Sequence, residues 1–575
     1  MTQEKVLDAA MIEQMIAILP AKQQVALFAL AMDESVTDEQ IERAVREALE
    51  AVDWDSQRDQ IRGLIGHIMP LETLVPEIYS EWRPVVRDAV AFVGSRLSTE
   101  RLVPKLVEQM LLPADMPLEQ RLLVLISQMP SLQKIGQIVA RNPNLDPSFR
   151  TELTRLENAI EDVRPEEIRA EIERQLGKHL KTYRVEIQEV ILAEASVSAV
   201  VRFTWWNPVS RATEHGVFKV LKPYILKYFP EEMDILQGLA MFFDENRHNY
   251  TLPPVGFREV MDDVRRLLER EVNLPQEQAN LVTAYDRYDA ISGVRVPHLI
   301  RELSTSTITA MSEEVGLKVT DAFPHSTRKR EKMAARLIEA LIAVPMFAPE
   351  EQSFFHADPH AGNLFANEKT GEVILLDWAL SEKLTREQRR QTVLLALGVA
   401  LRDEHRVFDA IAALSEDDLY QNEAKAHMVR GHIAEFFDAL SPLIVPGFAQ
   451  VMTLLDGIAF SGTRFPASLL MFRKVLFTLE GVLHDIAPEL SMDLVLARHA
   501  LKLMQREIPA RLFRPLTDTS TTFRTHLSNF DLTAIAMGIP LLGNRLWLQT
   551  AEQITDRGLE ELQRALLKIT PALSE

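Results

Sequence analysis

The sequence predicts a helix-rich α+β fold, and three observations support this prediction. Apolar residues follow helical spacing up to about residue 125, as they do in Glu39–Val52. From Tyr183 the spacing changes to the alternation typical of a β-strand, with apolar side chains at Val185, Ile187 and Ile191. Helical spacing returns after residue 377, and a glycine count of 21 in 575 residues fits a chain with few glycine turns.

Length and composition limit the classes of protein to consider. A chain of 575 residues is long enough for two or three domains. Acidic residues outnumber basic ones by 83 to 63, and the net charge of −20 argues against nucleic-acid binding. The absence of cysteine excludes disulfides and thiolate metal sites, and it fits a reducing compartment.

We see neither a signal peptide nor an apolar stretch of about 18 residues. We therefore expect a cytoplasmic protein whose membrane contact is at most peripheral, through Leu532–Leu548.

Two strands in the middle of the chain contain candidates for phosphate binding. Ala193, Ala195 and Ser196 lie between the predicted strands, where small residues let backbone N–H groups approach phosphates. Lys219 follows in a short apolar strand, like the lysine of V-A-I-K that binds phosphates in protein kinases. A tight hairpin and a snorkelling edge lysine would give the same local patterns.

The next segments supply a connector and a helix carboxylate. Val294–Glu302 and Ile308–Glu314 are predicted strands, and Met311 and Glu313 lie where a connector between two lobes would offer backbone groups to adenine. A kinase also needs a helix carboxylate to hold its strand lysine, and acidic residues occur near residues 271–280.

The strongest motif is His356–Asn363, which is followed by an apolar strand that ends at Asp377. Asp358 precedes Asn363 by five residues, the spacing of these residue types in the kinase catalytic loop. Phosphoryl transfer requires a carboxylate that orients the nucleophile and oxygen ligands that hold Mg²⁺ against phosphates. We therefore predict a bilobal protein-kinase-like fold in which Asp358 and Lys219 are catalytic and Asn363 and Asp377 bind Mg²⁺.

These motifs together resemble those of the UbiB/AarF family of atypical kinases, which are tied to quinone biosynthesis. The resemblance covers about residues 125–400. Seven motifs similar to those of the family carry it. They are K-x-G-Q at Lys134–Gln137, A-A-A-S at Ala193–Ser196, V-A-V-K-V-x-R-P at Val217–Pro223 and E-x-D-x-x-x-E-A-x-N at Glu271–Asn280. The other three are E-L-S-T at Glu302–Thr305, H-A-D-P-H-P-G-N at His356–Asn363 and L-L-D-F-G at Leu375–Ala379.

The resemblance implies roles for residues that the spacing alone leaves open. Lys219 would bind the phosphates of ATP, with Glu277 as its helix carboxylate. Lys134, Gln137 and Glu271 would gate the cleft and fill the space that a protein substrate normally takes. The family resemblance thus implies ATP and Mg²⁺ as cofactors. It favours ATP hydrolysis, or action on a quinone precursor or another lipid-like molecule, over phosphorylation of proteins.

The sequence departs from the family motifs at several positions. Glu194 replaces an alanine and would place a negative charge near the phosphates. Asn273 replaces an aspartate, and Pro275 would interrupt the helix and shift Glu277. Trp378 replaces a phenylalanine, but every proposed catalytic and metal-binding residue type is retained.

We divide the chain into four predicted segments. They are a helical N-terminal region of unknown role that could bind a protein partner (1–125), the K-x-G-Q helical extension (126–182), the N-lobe with inserted helices (183–316), and the helical C-lobe with the C-terminal helices (317–575).

Two other functions stay open at this stage. One is a pseudokinase scaffold that binds nucleotide and partners through its helices. The other is a small-molecule phosphotransferase of the aminoglycoside or choline kinase type, which also uses His-x-Asp-x-His-x-x-Asn but leaves the motifs at Lys134–Gln137 and Ala193–Ser196 unexplained.

Overall fold

The computed structural model describes residues 24–25, 38–50, 75, 77–113, 116–140, 162–251, 256–440, 446–519 and 522–536. The chain divides into two compact units. The first unit comprises Met1–Gln276 and Leu299–Glu313, and the second comprises Glu277–His298 and Glu314–Glu575. The predicted helix-rich α+β fold is confirmed.

The helices in the described part of the chain follow one another in this order: α1 (Asp38–Glu50), α2 (Arg83–Arg96), α3 (Thr99–Leu111), α4 (Leu118–Ile126), α5 (Pro130–Ala140), α6 (Pro165–Thr182), α7 (Pro223–Glu245), α8 (Phe257–Glu271), α9 (Leu274–Tyr288), α10 (Thr327–Ile338), α11 (Val344–Met346), α12 (Arg386–Leu401), α13 (Glu404–Leu414), α14 (Glu423–Ala439), α15 (Phe448–Phe460), α16 (Ala467–Ile486) and α17 (Met492–Arg511). A π-helical turn, Glu339–Ala343, joins α10 to α11. Short 3₁₀ turns lie at Glu77–Trp82, Arg247–Asn249, Arg301–Leu303 and Ala361–Asn363.

The strands are β1 (Glu186–Glu194), β2 (Ser198–Asn207), β3 (Ala212–Leu221), β4 (Val294–Arg295), β5 (Ile308–Ser312), β6 (Leu317–Lys318), β7 (Gln352–His356), β8 (Leu364–Ala366), β9 (Val373–Leu375) and β10 (Ser381–Thr385). The first unit contains an antiparallel sheet in the order β1-β2-β3-β5. The second unit contains a sheet in the order β4-β9-β8-β6 and a two-stranded ladder of β7 and β10.

Alternation along β2 explains how the sheet of the first unit packs. Val201, Phe203 and Trp205 occupy alternate positions and are buried in one core with the helices. The ring of Phe203 stacks on that of Phe218 in β3, with centroids 3.9 Å apart. A Cβ atom at Gly216 would lie 2.5 Å from the Phe203 ring, so glycine allows the aromatic pair to form.

One predicted strand was wrong in extent. The prediction placed a strand over Val294–Glu302, but only Val294–Arg295 forms one, and it pairs with β9. Pro297 lacks an N–H for a continued ladder. Further along, a single bridge joins Leu299 to Met311, and the chain then turns at Arg301–Leu303.

Within the described residues we find no helix with the length and apolar character needed to cross a membrane. The segment predicted to contact a membrane, Leu532–Leu548, lies outside the described residues from position 537 onward.

Candidate nucleotide and magnesium site

His356 ends β7 and orients the motif that follows it. Its Nε2 atom lies 2.9 Å from the carbonyl oxygen of Leu376, and its Nδ1 atom accepts the Asp358 N–H at 3.1 Å. Burial lowers the pKa of His356 and favours a neutral ring. Because Nδ1 accepts a hydrogen bond, the proton of the neutral ring lies on Nε2, which donates to Leu376. The imidazole therefore links the ends of two strands and fixes the backbone of Asp358.

The β8–β9 hairpin brings the two predicted magnesium ligands to the same end of one sheet. Leu364 pairs with Leu375, so Asn363 and Asp377 lie close to one another just beyond the paired positions. The Leu376 N–H donates to the Asn363 carbonyl oxygen at 2.9 Å. The Asn363 Nδ2 atom donates to the Asp358 carbonyl oxygen at 3.1 Å, which leaves the amide oxygen as the atom suited to a metal.

Asp377 has a backbone conformation that is uncommon for a residue with a side chain. Its φ angle is 55°, in the left-handed region, and its Oδ1 atom accepts the Ala379 N–H at 3.2 Å. Aspartate and asparagine tolerate this region better than most residues because their short polar side chains bond to the nearby backbone. The carboxylate therefore forms part of the turn that it occupies.

Trp378 anchors this turn in the core of the second unit. The side chain is fully buried, and its indole N–H donates to the Leu375 carbonyl oxygen at 3.2 Å. Its ring contacts His356 edge-on, with centroids 4.7 Å apart, and its carbonyl oxygen accepts the Asn280 side-chain amide at 3.0 Å. The larger ring thus packs as a core residue beside Asp377.

The donor set fits magnesium bound together with phosphates. Mg²⁺ keeps several waters and takes one or two protein ligands alongside substrate phosphates. Asn363 and Asp377 would supply these two protein ligands. In the described ranges no group of three or more His, Cys, Asp or Glu residues could hold a metal ion by itself.

The structure adds a basic residue that the sequence analysis did not identify. Lys474 of α16 places its Nζ atom 3.4 Å from Oδ1 of Asp358. His360 Nε2 lies 3.8 Å from the other Asp358 oxygen, and His360 Nδ1 accepts the Gly362 N–H at 3.0 Å. No local pattern marks Lys474, because it follows Asp358 by 116 residues.

In the first unit, one row of the sheet contains two of the predicted phosphate-binding residues, Ala193 and Lys219. Ala193 pairs with Val200, Val200 pairs with Lys219, and Lys219 pairs with Thr309. Directly paired residues share a face of an antiparallel sheet. The Ala195 N–H donates to the Ser198 carbonyl oxygen at 2.8 Å and closes the hairpin that contains the Ala193–Ser196 turn.

Two of the three predicted gating residues, Lys134 and Glu271, also meet in the first unit. Lys134 of α5 forms an ion pair with Glu271 at the end of α8. The other oxygen of Glu271 accepts the Ser196 hydroxyl at 3.2 Å, so the K-x-G-Q lysine is linked to the hairpin turn. Gln137 belongs to α5, and its side chain lies outside the described part of the chain.

The structure changes the interpretation of Glu194. Its carboxylate lies 2.8 Å from Nζ of the fully buried Lys222 and accepts the Asp162 N–H at 2.8 Å. Lys222 also contacts Asp162 at 2.7 Å. Burial disfavours ionised Asp162, but the charge of Lys222 and hydrogen bonds outweigh it and lower the pKa of Asp162. Glu194 therefore forms a buried ion pair instead of adding an isolated charge to the turn.

The predicted interruption at Pro275 is a boundary between two helices. α8 ends at Glu271, and α9 begins at Leu274, with Pro275 in its first turn, where a missing N–H is tolerated. Asn273 accepts the Gln276 N–H at 3.2 Å, as a helix cap does. Glu277 follows in the same first turn and is buried in the second unit.

The two predicted connector residues lie at the end of the first unit. Met311 pairs with Val217 in the sheet. The Glu313 carboxylate accepts Nε of Arg202 at 2.6 Å, and its N–H donates to the His215 carbonyl oxygen at 3.3 Å. The adenine-facing role of Met311 and Glu313 stays a prediction.

The fold and these residues define a protein of the kinase-like class. Residues 155–411 match the model of the ABC1 atypical kinase-like domain. These residues are thus similar to ABC1 atypical kinase-like domains, and the predicted resemblance to the UbiB/AarF family is confirmed.

Curated relatives extend the match to most of the chain. It is 25% identical to "Uncharacterized protein sll1770" of Synechocystis, over 66% of this chain and 64% of the relative. It is 26% identical to "Protein ACTIVITY OF BC1 COMPLEX KINASE 7, chloroplastic" of Arabidopsis thaliana, over 65% of this chain and 53% of that protein. It is 24% identical to "Probable protein kinase UbiB" of Actinobacillus pleuropneumoniae, over 72% of this chain and 77% of that protein. The chain thus spans less than two thirds of the length of the first two relatives.

A solved structure is also similar. Rv3197 of Mycobacterium tuberculosis, determined in complex with erythromycin, has a TM-score of 0.40 and 15% sequence identity over 68% of this chain and 95% of the other.

Proposed function

We propose that this protein is an ATP- and Mg²⁺-dependent atypical kinase or ATPase of the UbiB type that supports isoprenoid quinone or other lipid metabolism. The observation that carries the proposal lies within the second unit. His356, Asp358, Asn363 and Asp377 are joined by direct hydrogen bonds and by the β8–β9 pairing. This connection is expected of a catalytic carboxylate held beside two magnesium ligands.

Each residue has a role in this proposal. Asn363 and Asp377 would hold Mg²⁺, which neutralises charge on the phosphates when it is bound. Asp358 would orient the attacking hydroxyl or water and accept its proton, with Lys474 holding the carboxylate in position. Lys219, with Glu277, and the backbone at Ala193, Ala195 and Ser196 would bind the phosphates of ATP.

The ion pair between Lys134 and Glu271 supports a small substrate. In the first unit it ties α5 to the end of α8 and to Ser196. If α5 covers the bound nucleotide, an extended protein substrate is excluded, and water or the hydroxyl of a lipid-like molecule is the favoured acceptor. We propose a cytoplasmic location with peripheral membrane contact, since such substrates reside in bilayers.

The decisive experiment combines nucleotide binding with turnover. Thermal unfolding should be measured with and without Mg²⁺-ATP, followed by phosphate release with and without lipid vesicles. At a hundred times its Kd the nucleotide should stabilise the protein by about 2.7 kcal/mol. Asp377→Asn should lose this stabilisation in the presence of Mg²⁺, whereas the exposed Asp485→Asn on α16 should keep it.

The outcomes separate the candidate functions. Stabilisation with slow, lipid-stimulated phosphate release supports the proposal. Stabilisation without release in any condition favours a nucleotide-binding scaffold, and rapid phosphorylation of a soluble alcohol favours a small-molecule phosphotransferase. No stabilisation at millimolar ATP would overturn the nucleotide-binding proposal.

A further inference from the structure

Helix α17 of the second unit exposes a line of large apolar side chains. Its inner face is buried at Met492 and Leu503, where the helix packs against α10 and the π-helical turn Glu339–Ala343. The opposite face contains four apolar residues, each between 49% and 78% exposed: Leu494, Leu501, Ile508 and Leu512. We call these four residues the apolar stripe.

The spacing of the apolar stripe places its members on one side of the helix. Leu494, Leu501 and Ile508 are seven residues apart, and Leu512 follows Ile508 by four. With the rise and pitch of an α-helix, these positions form a nearly straight line about 27 Å long. A single exposed leucine needs no explanation, but a continuous exposed apolar surface marks a contact site for a protein or a membrane.

The apolar surface continues onto the turn that follows α17. Phe513 is 90% exposed, and Leu516 and Phe530 are also exposed. The buried side-chain amide of Asn529 holds the turn, because its Nδ2 atom contacts three carbonyl oxygens within residues 511–515 at 3.2–3.3 Å. The turn is thus a fixed part of the fold that presents its apolar side chains to solvent. We call the apolar stripe together with Phe513, Leu516 and Phe530 the α17 ridge.

Exposed cations flank the α17 ridge. Arg498 and Arg506 are among them, and because they are eight residues apart they lie on the same flank of the helix, about two turns from each other. The helix has two acidic residues: Asp493 lies in its first turn, and Glu507 pairs with the buried Arg511 at 2.7 Å. The outer surface of α17 is therefore basic, although the whole chain has a net charge of −20.

An anionic bilayer fits this surface better than another protein does. Leucine and phenylalanine beside a basic flank are typical of helices that lie in a membrane interface. Two copies of α17 packed antiparallel through the apolar stripe would bring their basic flanks together, which is unfavourable. The apolar surface is also wider than the seam between two helices, because it extends to Phe513, Leu516 and Phe530. Side chains that protrude this far suit insertion between lipid head groups.

We propose that the α17 ridge inserts into the interface of an anionic lipid bilayer, where Arg498 and Arg506 bind head-group phosphates. Guanidinium groups match the geometry of phosphate oxygens. This surface assignment rests on the peripheral membrane contact proposed above and does not depend on the use of ATP. The predicted contact segment Leu532–Leu548 begins two residues after Phe530, so the same membrane would lie within its reach.

Vesicle flotation of the full chain tests binding without nucleotide or Mg²⁺. The probes are vesicles of phosphatidylcholine with and without phosphatidylglycerol. The wild type should bind the anionic vesicles, and added salt should weaken this binding because it screens the cations. Joint Leu512→Ser and Phe513→Ser substitution should lower the partition coefficient about tenfold or more, whereas Phe460→Ser, at a similarly exposed position on α15, should not change it.

The contact of the basic flank is tested by a change of charge alone. Joint Arg498→Gln and Arg506→Gln substitution should weaken binding to the anionic vesicles and leave binding to pure phosphatidylcholine unchanged. The matched control, Lys369→Gln with Lys383→Gln, removes two exposed cations elsewhere in the second unit and changes the net charge equally. Equal loss of binding in the two double variants would show that total charge governs binding, and it would overturn the proposal.

Site-directed spin labelling identifies what covers the α17 ridge. The chain has no cysteine, so Leu501→Cys or Phe513→Cys provides a single labelling site. With anionic vesicles, a nitroxide at either position should become accessible to oxygen and shielded from a water-soluble relaxation agent, while a nitroxide at Phe460→Cys should stay in water. A label on the ridge that is immobilised and shielded without vesicles would show that protein covers it, either another segment of the chain or a second copy, and would overturn the proposal.

The same measurements separate failure of the ridge proposal from failure of the proposed function. If the wild type binds vesicles and the ridge variants bind equally well, the α17 ridge is not the contact surface, and the proposed membrane location stands. Loss of binding confined to Leu541→Ser with Leu542→Ser would assign the contact to Leu532–Leu548 instead. If the wild type binds no vesicles, the ridge proposal and the membrane location both fail, whereas stabilisation by Mg²⁺-ATP still tests nucleotide binding on its own.

Discussion

The Nζ atom of Lys474 lies 3.4 Å from Oδ1 of Asp358, so α16 supplies a cation to the residue proposed as the catalytic carboxylate. The lysine side chain is 45% exposed. An ion pair this exposed contributes little to stability. Its importance would therefore lie in the charge beside Asp358.

We predict that Lys474→Met lowers kcat about 10- to 100-fold with little change in Tm. The cation lies close enough to hold the Asp358 carboxylate in place, so its loss would let the carboxylate move away from the attacking group. Lys474→Arg should recover part of the rate, and Lys502→Met on α17 should behave as the wild type. A wild-type kcat in Lys474→Met would contradict a role in positioning Asp358.

Lys134→Ala should change which acceptors the protein uses. Breaking the ion pair with Glu271 releases α5 from Ser196, so nucleotide preference or phosphorylation activity should change. Nucleotide affinity and phosphate transfer should be compared in wild type, Lys134→Ala and Lys134→Arg. Identical kinetics in all three would show that the ion pair is only structural.

Lys222→Met should destabilise the first unit by about 3–5 kcal/mol, because it leaves two carboxylates buried beside each other without their cation. Urea unfolding measures the effect. Adding Glu194→Ala to this variant should restore part of the loss, since one of the unpaired charges is then removed. If the double variant were as unstable as the sum of the single variants, Glu194 would not be coupled to Lys222.

His526 should make stability depend on pH in the mildly acidic range. Burial lowers the pKa of His526 to about 4, despite the hydrogen bond from its ring to the Met346 carbonyl oxygen, and Arg389 and Arg386 also disfavour its charged form. Between pH about 6.5 and about 4 the unfolded chain binds the extra proton and the folded chain does not. This residue's contribution to stability is therefore lost as pH falls through that window.

The measurement for His526 is the slope of unfolding free energy against pH. His526→Gln should have a shallower slope between pH about 6.5 and about 4 than the wild type has. Exposed His405→Gln on α13 is the matched control and should leave the slope unchanged. Equal slopes in all three proteins would show that His526 titrates normally in the fold.

The residues that could be predicted from the sequence are those that belong to recognisable motifs. Asp358 and Asn363 are five residues apart, and the strand that ends at Asp377 places the third member by ordinary hairpin pairing. Motif resemblance singled out Lys134 and Glu271, which are 137 residues apart and form an ion pair in the structure.

The rest depends on distant parts of the chain. Lys474 lies on a helix whose sequence carries no motif, and Glu194 gave no sign that its partner would be Lys222 or that both would be buried. The strand predicted over Val294–Glu302 ended early because Pro297 and the turn at Arg301–Leu303 overrode its β-like composition. Which charged residue becomes the partner of another depends on how distant segments pack together. The residues next to it in the sequence do not reveal this.

The left-handed backbone of Asp377 determines which substitutions can be interpreted. Alanine at this position would remove the carboxylate and also force a Cβ-bearing residue without a polar side chain into the αL region, at a cost of about 1–2 kcal/mol. An alanine scan would thus merge two separate losses and overstate the contribution of charge. Asparagine retains both the turn-forming oxygen and the backbone preference, so the difference between the two variants isolates the energy stored in the turn itself.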